Sequence, residues 1–215
     1  MIEPDVGELN LLNKFSLSYK PQYITPTYEG TVEQFIMDYS KKYLYTEDLM
    51  TRLYEPLGID GLFQNKLSTL SGGQLQRTFI GACLTKDANI YLIDEPSAYL
   101  DIEERLKIAE IIRSHTKSVN AGSICIEHDI QIMDSLADRL LIFVGDPGLN
   151  GNTIGPLKKR DGMNEFLKTL DVTFRRDEET GRARINKKDS KLDKQQRRIG
   201  EYYYVKLQEH SKFYK

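Results

Sequence analysis

The chain has 215 residues, 40% of them hydrophobic and 29% charged, with 30 Lys and Arg set against 32 Asp and Glu. That length buries a core of ordinary size, so the composition excludes a fibre, a disulfide-stapled miniprotein and a disordered tail. No run of about 18 apolar residues occurs and the opening MIEPDVGELN has neither a basic start nor an apolar centre, so the sequence predicts no transmembrane helix, no secretory signal and a soluble cytoplasmic protein.

Charge is unevenly spread. From Lys158 to Lys215 there are 17 Lys and Arg and 10 Asp and Glu, which leaves 13 basic and 22 acidic residues in positions 1–157. A basic final quarter on an acidic body predicts contact with a polyanion or an acidic surface, with a solvated tail as the plainer alternative. The two cysteines, Cys83 and Cys125, sit in the apolar runs IGACL and SICIE. Two thiols make neither a four-ligand zinc set nor a disulfide framework, so both are expected to be buried and unreactive.

In chain order, Phe15 to Tyr19 alternates apolar and polar residues and stops at Lys20-Pro21, the pattern of a short strand running into a turn. Thr31 to Leu44 places Val32, Phe35, Ile36, Tyr39 and Tyr43 on one helical face, and Thr46 to Leu57 places Leu49, Leu53 and Leu57 on another, which predicts a small helical layer. Ser71 can cap a helix opening at Gly72-Gly73, with Leu75, Phe79, Ala82 and Cys83 on its buried side. Ile90 to Ile93 is a short apolar run typical of a parallel strand buried on both faces. Asp101 opens a helix from Ile102 to about Lys117, with Glu104 in the capping-box position. Ser123 to Glu127 reads as a second buried strand, His128-Asp129 as the start of a helix to Ala137, and Arg139 to Val144 as a third strand. Strands alternating with helices predict an α/β fold around a parallel sheet. The Gly- and Pro-rich stretch 145–156 predicts a loop, Met163 to Leu170 a short helix, and the charged remainder, with the aromatics Tyr202, Tyr203 and Tyr204, an accessory strand or arm.

Open α/β sheets bind ligands outside the carboxyl ends of their strands, where Asp94 and Glu95 directly follow the apolar run. That arrangement is a Walker B pattern: the first carboxylate holds Mg²⁺ through its water shell and the second polarises an attacking water. A DE pair after a strand also serves as a helix cap. Upstream stands Leu70-Ser71-Gly72-Gly73-Gln74, where two glycines at a helix N-terminus offer backbone N–H groups to an anion beside a serine hydroxyl. His128 closes the next strand, where a neutral imidazole can donate to a phosphate oxygen. Gln22 follows the first strand and can bind a metal or the attacking water. Singly, these residues read as a capped helix, a loop histidine and a turn amide; as an ordered set they point to nucleotide chemistry.

LSGGQ followed by LIDEP in this order resembles an ABC-type ATPase domain, with a RecA-like parallel core and a helical signature subdomain. The resemblance implies a Q-loop at Gln22, a signature motif at Leu70 to Gln74, a Walker B motif at Ile90 to Asp94 with Glu95 catalytic, a D-loop at Ser97 to Asp101 and a switch histidine at His128. SYKPQ around Gln22, the extra tyrosine in SAYLD, the EHD of Glu127 to Asp129, TFRRD (Thr173 to Asp177) and RINK (Arg184 to Lys187) resemble the second nucleotide-binding domain of the ABC-E family, the RNase L inhibitor type of ribosome-recycling ATPase. What this implies is a domain that uses ATP and Mg²⁺. Glu95 would polarise water, Asp94 and Gln22 attend the metal, and His128 contact the γ-phosphate. Ser71, Gly72, Gly73, Gln74 and Asp101 would be nucleotide-binding, the signature residues acting on the nucleotide of the opposite domain. Implied partners are a companion ABC ATPase domain, the small ribosomal subunit and release or initiation factors, without a membrane. The family's iron–sulfur clusters belong to an N-terminal domain absent here.

The resemblance implies a partial nucleotide-binding domain over residues 1–157, its helical subdomain at about 30–85, and a basic hinge segment over 158–215. The tail arginines Arg175, Arg176, Arg182 and Arg184, with Lys187, are then expected to dock on the companion domain or to touch ribosomal RNA. One departure is sharp: the P-loop G-x-x-x-x-G-K-[ST] is missing and no Gly-Lys dipeptide occurs anywhere. The chain therefore reads as a truncated domain that is inactive by itself. Rival readings are another soluble or transporter ABC ATPase, or a non-catalytic interaction module.

Overall fold

The computed structural model describes residues 15–146, 148–177 and 183–204. They form two compact units that divide between Leu136 and Ala137. The expected division at 157/158 falls inside the second unit, because the residues before it are hydrogen-bonded to those that precede the loop.

The first unit is built on three parallel strands in the order β1 (Leu17–Lys20), β2 (Ile90–Asp94) and β3 (Gly122–Ile126). The helical layer opens with α1 (Val32–Ser40), where Thr31 accepts from the Gln34 N–H and the Gln34 side chain accepts in return from the Thr31 N–H. The expected helix to Leu44 stops early: Lys41 turns left-handed at φ 58° and ends it, so Val32 and Ile36 are buried while Tyr43 is 66% exposed. The Thr46 to Leu57 helix is interrupted. Between α2 (Glu47–Leu49) and α3 (Glu55–Leu57) lies a π-helical turn, Met50–Tyr54, closed by the Glu55 N–H on the Met50 carbonyl. Pro56 is the physical reason, since it has no N–H for the ordinary helical bond and its ring crowds the preceding turn.

Ser71 caps α4 (Gly72–Thr85), and Leu75, Ala82 and Cys83 are buried as expected, while Phe79 is partly buried with its ring 4.6 Å from that of Phe35. Burial pushes the Cys83 thiol up to about 11 and the half-buried Cys125 thiol up to about 12, so neither forms a thiolate near neutrality. Asp101 caps α5 (Ile102–Ser118) by accepting from the N–H groups of Glu103 and Glu104. The capping box expected there is incomplete, for the Glu104 carboxylate lies 3.4 Å from Arg77 instead. The last helix of the unit, α6 (Ile130–Leu136), begins two residues after the expected His128.

Sheet register decides which face is buried. Ser18 stands beside Tyr91 and Lys20 beside Ile93, and all four are buried under the helices, with the Ser18 hydroxyl donating to the Cys83 carbonyl at 2.7 Å. The apolar residues of β1 lie on the opposite face. Leu17, Tyr19, Ile124 and Ile126 are exposed there, and no described helix covers them, so the expectation of strands buried on both faces is not met among the described residues.

The second unit corrects two expectations. Arg139 to Val144 does form a strand, β4 (Arg139–Val144), but it joins no parallel sheet; it pairs antiparallel with β5 (Asn152–Lys158), most of which the sequence predicts as loop. Few residues separate Val144 from Asn152, which favours hairpin closure, and the run LLIFV alternates, with Leu140 and Ile142 buried and Leu141 and Phe143 exposed. Helix α7 (Lys159–Thr169) starts four residues before the expected Met163 and packs on both strands. A Cβ at its Gly162 would stand 2.8 Å from the Leu140 Cβ, so the close approach requires glycine.

The tail then forms β6 (Phe174–Arg176) between β7 (Ala183–Ile185) and β8 (Tyr203–Tyr204), with α8 (Lys191–Ile199) alongside in sequence. TFRRD and RINK supply its polar core. The Thr173 hydroxyl donates to Asp193 at 2.6 Å, Asn186 donates to Thr173 and Gln196, and Arg197 donates to both Asp193 oxygens at 3.0 Å and to Asp171. Arg175 and Arg176 are exposed on β6, and Arg184 pairs with Asp177 at 3.3 Å. Arg182 and the Tyr204 side chain lie outside the described residues, while Tyr203 stacks on Phe174 and Tyr202 lies under Arg197.

The Thr173 hydroxyl and the Arg197 guanidinium hold the Asp193 carboxyl below the usual carboxylate range. Its contribution to stability is therefore complete above about pH 4 and is lost as the pH falls through the lowered native value. Asp193→Asn should flatten the acid limb of the stability profile, measured by urea denaturation between pH 2 and 7.

Candidate functional site

The carboxyl ends of the three parallel strands gather four of the expected site residues, Gln22, Asp94, Glu95 and His128. Asp94 ends β2 on the open face of the sheet, in register with Ile126. Glu95 follows at φ 45°, a left-handed conformation uncommon for a residue with a side chain, and its N–H donates to the Ile126 carbonyl at 2.9 Å. The Gln22 amide, just beyond β1, donates to Glu95 Oε1 at 2.7 Å, and His128 Nε2 lies 3.3 Å from the same oxygen. Gln22, Glu95 and His128 therefore meet at one carboxylate oxygen, although 106 positions separate the first from the last. The His128 ring is 81% exposed, so the group opens outward.

Two residues that the sequence reading passed over hold this group from beneath. Lys20 is 1% exposed and donates through Nζ to the Asp94 carbonyl at 2.7 Å and the Glu95 carbonyl at 3.2 Å. Gln76, inside α4 and fully buried, donates to the same Glu95 carbonyl at 2.7 Å. Burial lowers the Lys20 ammonium to about 8, against the opposing pull of Asp94, Glu95 and Glu127. The sequence carried little signal for either, since alternation in β1 does not say which face turns inward and Gln76 stands three positions past the Gly-Gly pair inside an ordinary helical run.

The EHD triplet divides its labour. Glu127 accepts from the Ser97 N–H at 3.0 Å and from the N–H groups of His128 and Asp129, which fixes the loop after β3. Asp129 accepts from Gln131 at the start of α6 and pairs with Arg105 at 3.1 Å. His128 is thereby left pointing at Glu95.

The signature residues form a second cluster. Ser71 and Gln74 complete a reciprocal capping box, so the Gln74 side chain is committed to the Ser71 N–H at 3.0 Å. Tyr99, left-handed at φ 64° and 70% exposed, lies against the glycines: a Cβ on Gly73 would stand 3.2 Å from the Tyr99 carbonyl, and one on Gly72 3.5 Å from its ring. Neither Ser71, Gly72, Gly73, Gln74 nor Asp101 joins the Glu95 group; Asp101 is engaged as the α5 cap. A cavity of about 450 Å³ bordered by Lys42, Arg52, Tyr91 and His115 contains none of these site residues.

The chemistry open to the Glu95 group is that of a carboxylate base oriented by an amide and an imidazole, beside a second carboxylate able to attend a hard cation. No helix among the described residues is long and apolar enough to cross a membrane.

Comparison with known proteins agrees with the motif order. The ABC transporter family profile matches residues 10–98. An uncharacterised ABC transporter ATP-binding protein of Methanocaldococcus jannaschii is 46% identical over 95% of this chain and 34% of its own length. The translation initiation factor RLI1 of Saccharomyces cerevisiae is 39% identical over 95% of this chain and 33% of its own length. Among solved structures, the archaeal ribosome recycling factor aABCE1, in complex with the ribosomal stalk protein aP1, superposes with a TM-score of 0.86 at 43% identity, covering 95% of this chain and 39% of that one. A structure described as RNase-L Inhibitor also gives a TM-score of 0.86 at 43% identity, over 94% of this chain and 39% of its own. The chain spans about a third of the length of the curated relatives it matches, and over that span it belongs to the ABC-E, or RNase L inhibitor, family of ABC ATPases.

Proposed function

We propose that the chain supplies the catalytic carboxylate and signature half of an ABC-E ATPase whose ATP-driven closure is coupled to ribosome subunit separation and translation initiation. The convergence of Gln22 and His128 on one oxygen of Glu95 carries this reading. In the hydrolytic step Glu95 accepts a proton from the attacking water, Gln22 orients that water, and His128 donates to the transferred phosphoryl group. The Asp94 carboxylate and the Gln22 amide oxygen, whose nitrogen is committed to Glu95, are hard oxygen donors that would hold Mg²⁺ together with waters and substrate phosphates. Bound there, the ion would neutralise charge on the β- and γ-oxygens. Ser71, Gly72 and Gly73 serve the nucleotide held by the companion domain, with Tyr99 and the Asp101 cap shaping the surface beside them. The ribosomal role rests on the relatives: one is named a translation initiation factor, another a ribosome recycling factor. In the complete protein, Glu95→Gln should lower single-turnover ATP hydrolysis from this site by about a hundredfold or more while Mg-ATP still binds; wild-type turnover would remove the assignment.

The phosphate cradle has to come from outside the residues present, since no P-loop motif occurs in them. The exposed apolar face formed by Leu17, Tyr19, Ile124 and Ile126, on which Asp94 also lies, is the surface such a segment would cover. Charge-assisted hydrogen bonds are worth roughly 1.5–3 kcal/mol each, so losing three weakens binding by about 5 kcal/mol, or several thousandfold. Calorimetry with Mg-ATP on the 215-residue chain should therefore show neither micromolar binding nor turnover.

The basic tail is assigned to inter-domain docking, as a hinge. Exposed arginines suit bidentate pairing with carboxylates, and Arg184 already lies 3.3 Å from Asp177 through a single Nε–Oδ2 contact. Arg175→Ala combined with Arg176→Ala in the complete protein should impair nucleotide-driven domain closure. Intact closure together with a shallower salt dependence of ribosome binding would favour an RNA contact instead.

A further inference from the structure

Glu95 bears the proposed chemistry on a backbone that its residue type disfavours. Its φ of 45° lies in the left-handed region, where a side chain crowds the following carbonyl, and such a conformation persists only where the surroundings over-determine it. The surroundings here are specific. The Glu95 carbonyl accepts from Gln76 Nε2 at 2.7 Å, Lys20 Nζ at 3.2 Å and the Ala98 N–H at 3.3 Å, while the Glu95 N–H is tied to Ile126. Two of those donors are side chains from other elements.

We propose that Lys20 and Gln76 are positioning residues for the water-activating carboxylate: together they lock the Glu95 peptide in its left-handed conformation, and Gln76 links that peptide to the signature helix α4. The proposal rests on the assignment of Glu95 as the base. A structural tether alone would not call for these residue types. Lys20 stands beside Ile93 on a face that also holds Ser18 and Tyr91 under Cys83 of α4, where an apolar side chain of similar length would pack without giving up hydration. Its ammonium spends two hydrogen bonds on the adjacent carbonyls of Asp94 and Glu95, the residues at which metal and water are to be placed. Gln76 lies two positions beyond the Ser71–Gln74 capping box, on the same continuous helix. A rigid shift of α4, such as engagement of Ser71 to Gly73 by a nucleotide would impose, must move the Gln76 donor, and with it the Glu95 peptide. Signature occupancy and base geometry are coupled in this way within one domain.

The test uses the complete protein with Lys20→Met and Gln76→Leu, each of which keeps the side-chain volume and deletes the donor. Both should lower single-turnover hydrolysis at this site at least tenfold while leaving the Kd for Mg-ATP and the thermal midpoint unchanged. Combining either with Glu95→Gln should give no further loss, because residues acting through one group are not additive. An unchanged rate, or a rate that falls only in step with Kd and thermal midpoint, overturns the proposal. Should Lys20→Met fail to fold, Gln76→Leu decides alone, since it removes no charge. Glu95→Gln run in parallel separates the two levels: wild-type turnover there defeats the base assignment itself, whereas a dead Glu95→Gln beside fully active Lys20→Met and Gln76→Leu defeats only the positioning role.

Discussion

A single carbonyl, that of Glu95, is where three elements of the first unit meet. Lys20 reaches it from the end of β1, Gln76 from inside α4, and Ala98 from the turn that follows β2. Around it the remaining contacts fall into order. The Glu95 N–H is held by Ile126, the last residue of β3, so this one residue joins all three parallel strands. Gln22 and His128, which continue β1 and β3, then find the Glu95 carboxylate within hydrogen-bonding reach. A buried ammonium is costly to desolvate, and the compensation lies in two well-aligned carbonyls and three nearby carboxylates.

The second unit reaches order by a different route. Its apolar core is small, centred on Leu140, Ile142, Met163, Leu167, Phe174 and Tyr203, and much of its specificity lies in a buried hydrogen-bond network. Thr173, Asn186, Asp193 and Gln196 are all nearly inaccessible, and each satisfies another. A network of this type tolerates little partial loss, because every member removed leaves its partner buried and unpaired. The charges that made the tail look like a solvated arm are thus of two kinds: Asp193 turns inward, whereas Arg175 and Arg184 face outward.

The motifs of the candidate site were legible because each is local. Ser71, Gly72 and Gly73 announce a helix N-terminus within a few residues, Asp101 announces another, and Asp94-Glu95 marks the end of an apolar run. Less legible were helix ends set by a single backbone choice, as at left-handed Lys41, and a π-helical turn next to Pro56 that helical periodicity does not resolve.

By itself the sequence determined the order of motifs, the N-caps Ser71 and Asp101 and the absence of a Gly-Lys dipeptide, since each of these is read within a few consecutive residues. Only the tertiary structure decided which face of β1 is buried. Alternation in Leu17–Lys20 is compatible with either choice, and pairing with β2 put Ser18 and Lys20 inside while Leu17 and Tyr19 remained outside. It likewise decided that β4 closes a hairpin with β5, because the pairing partner of an apolar strand is not written in the strand itself. The bond from Lys20 to Asp94 spans 74 positions, and no local propensity carries information over that distance; register and packing do.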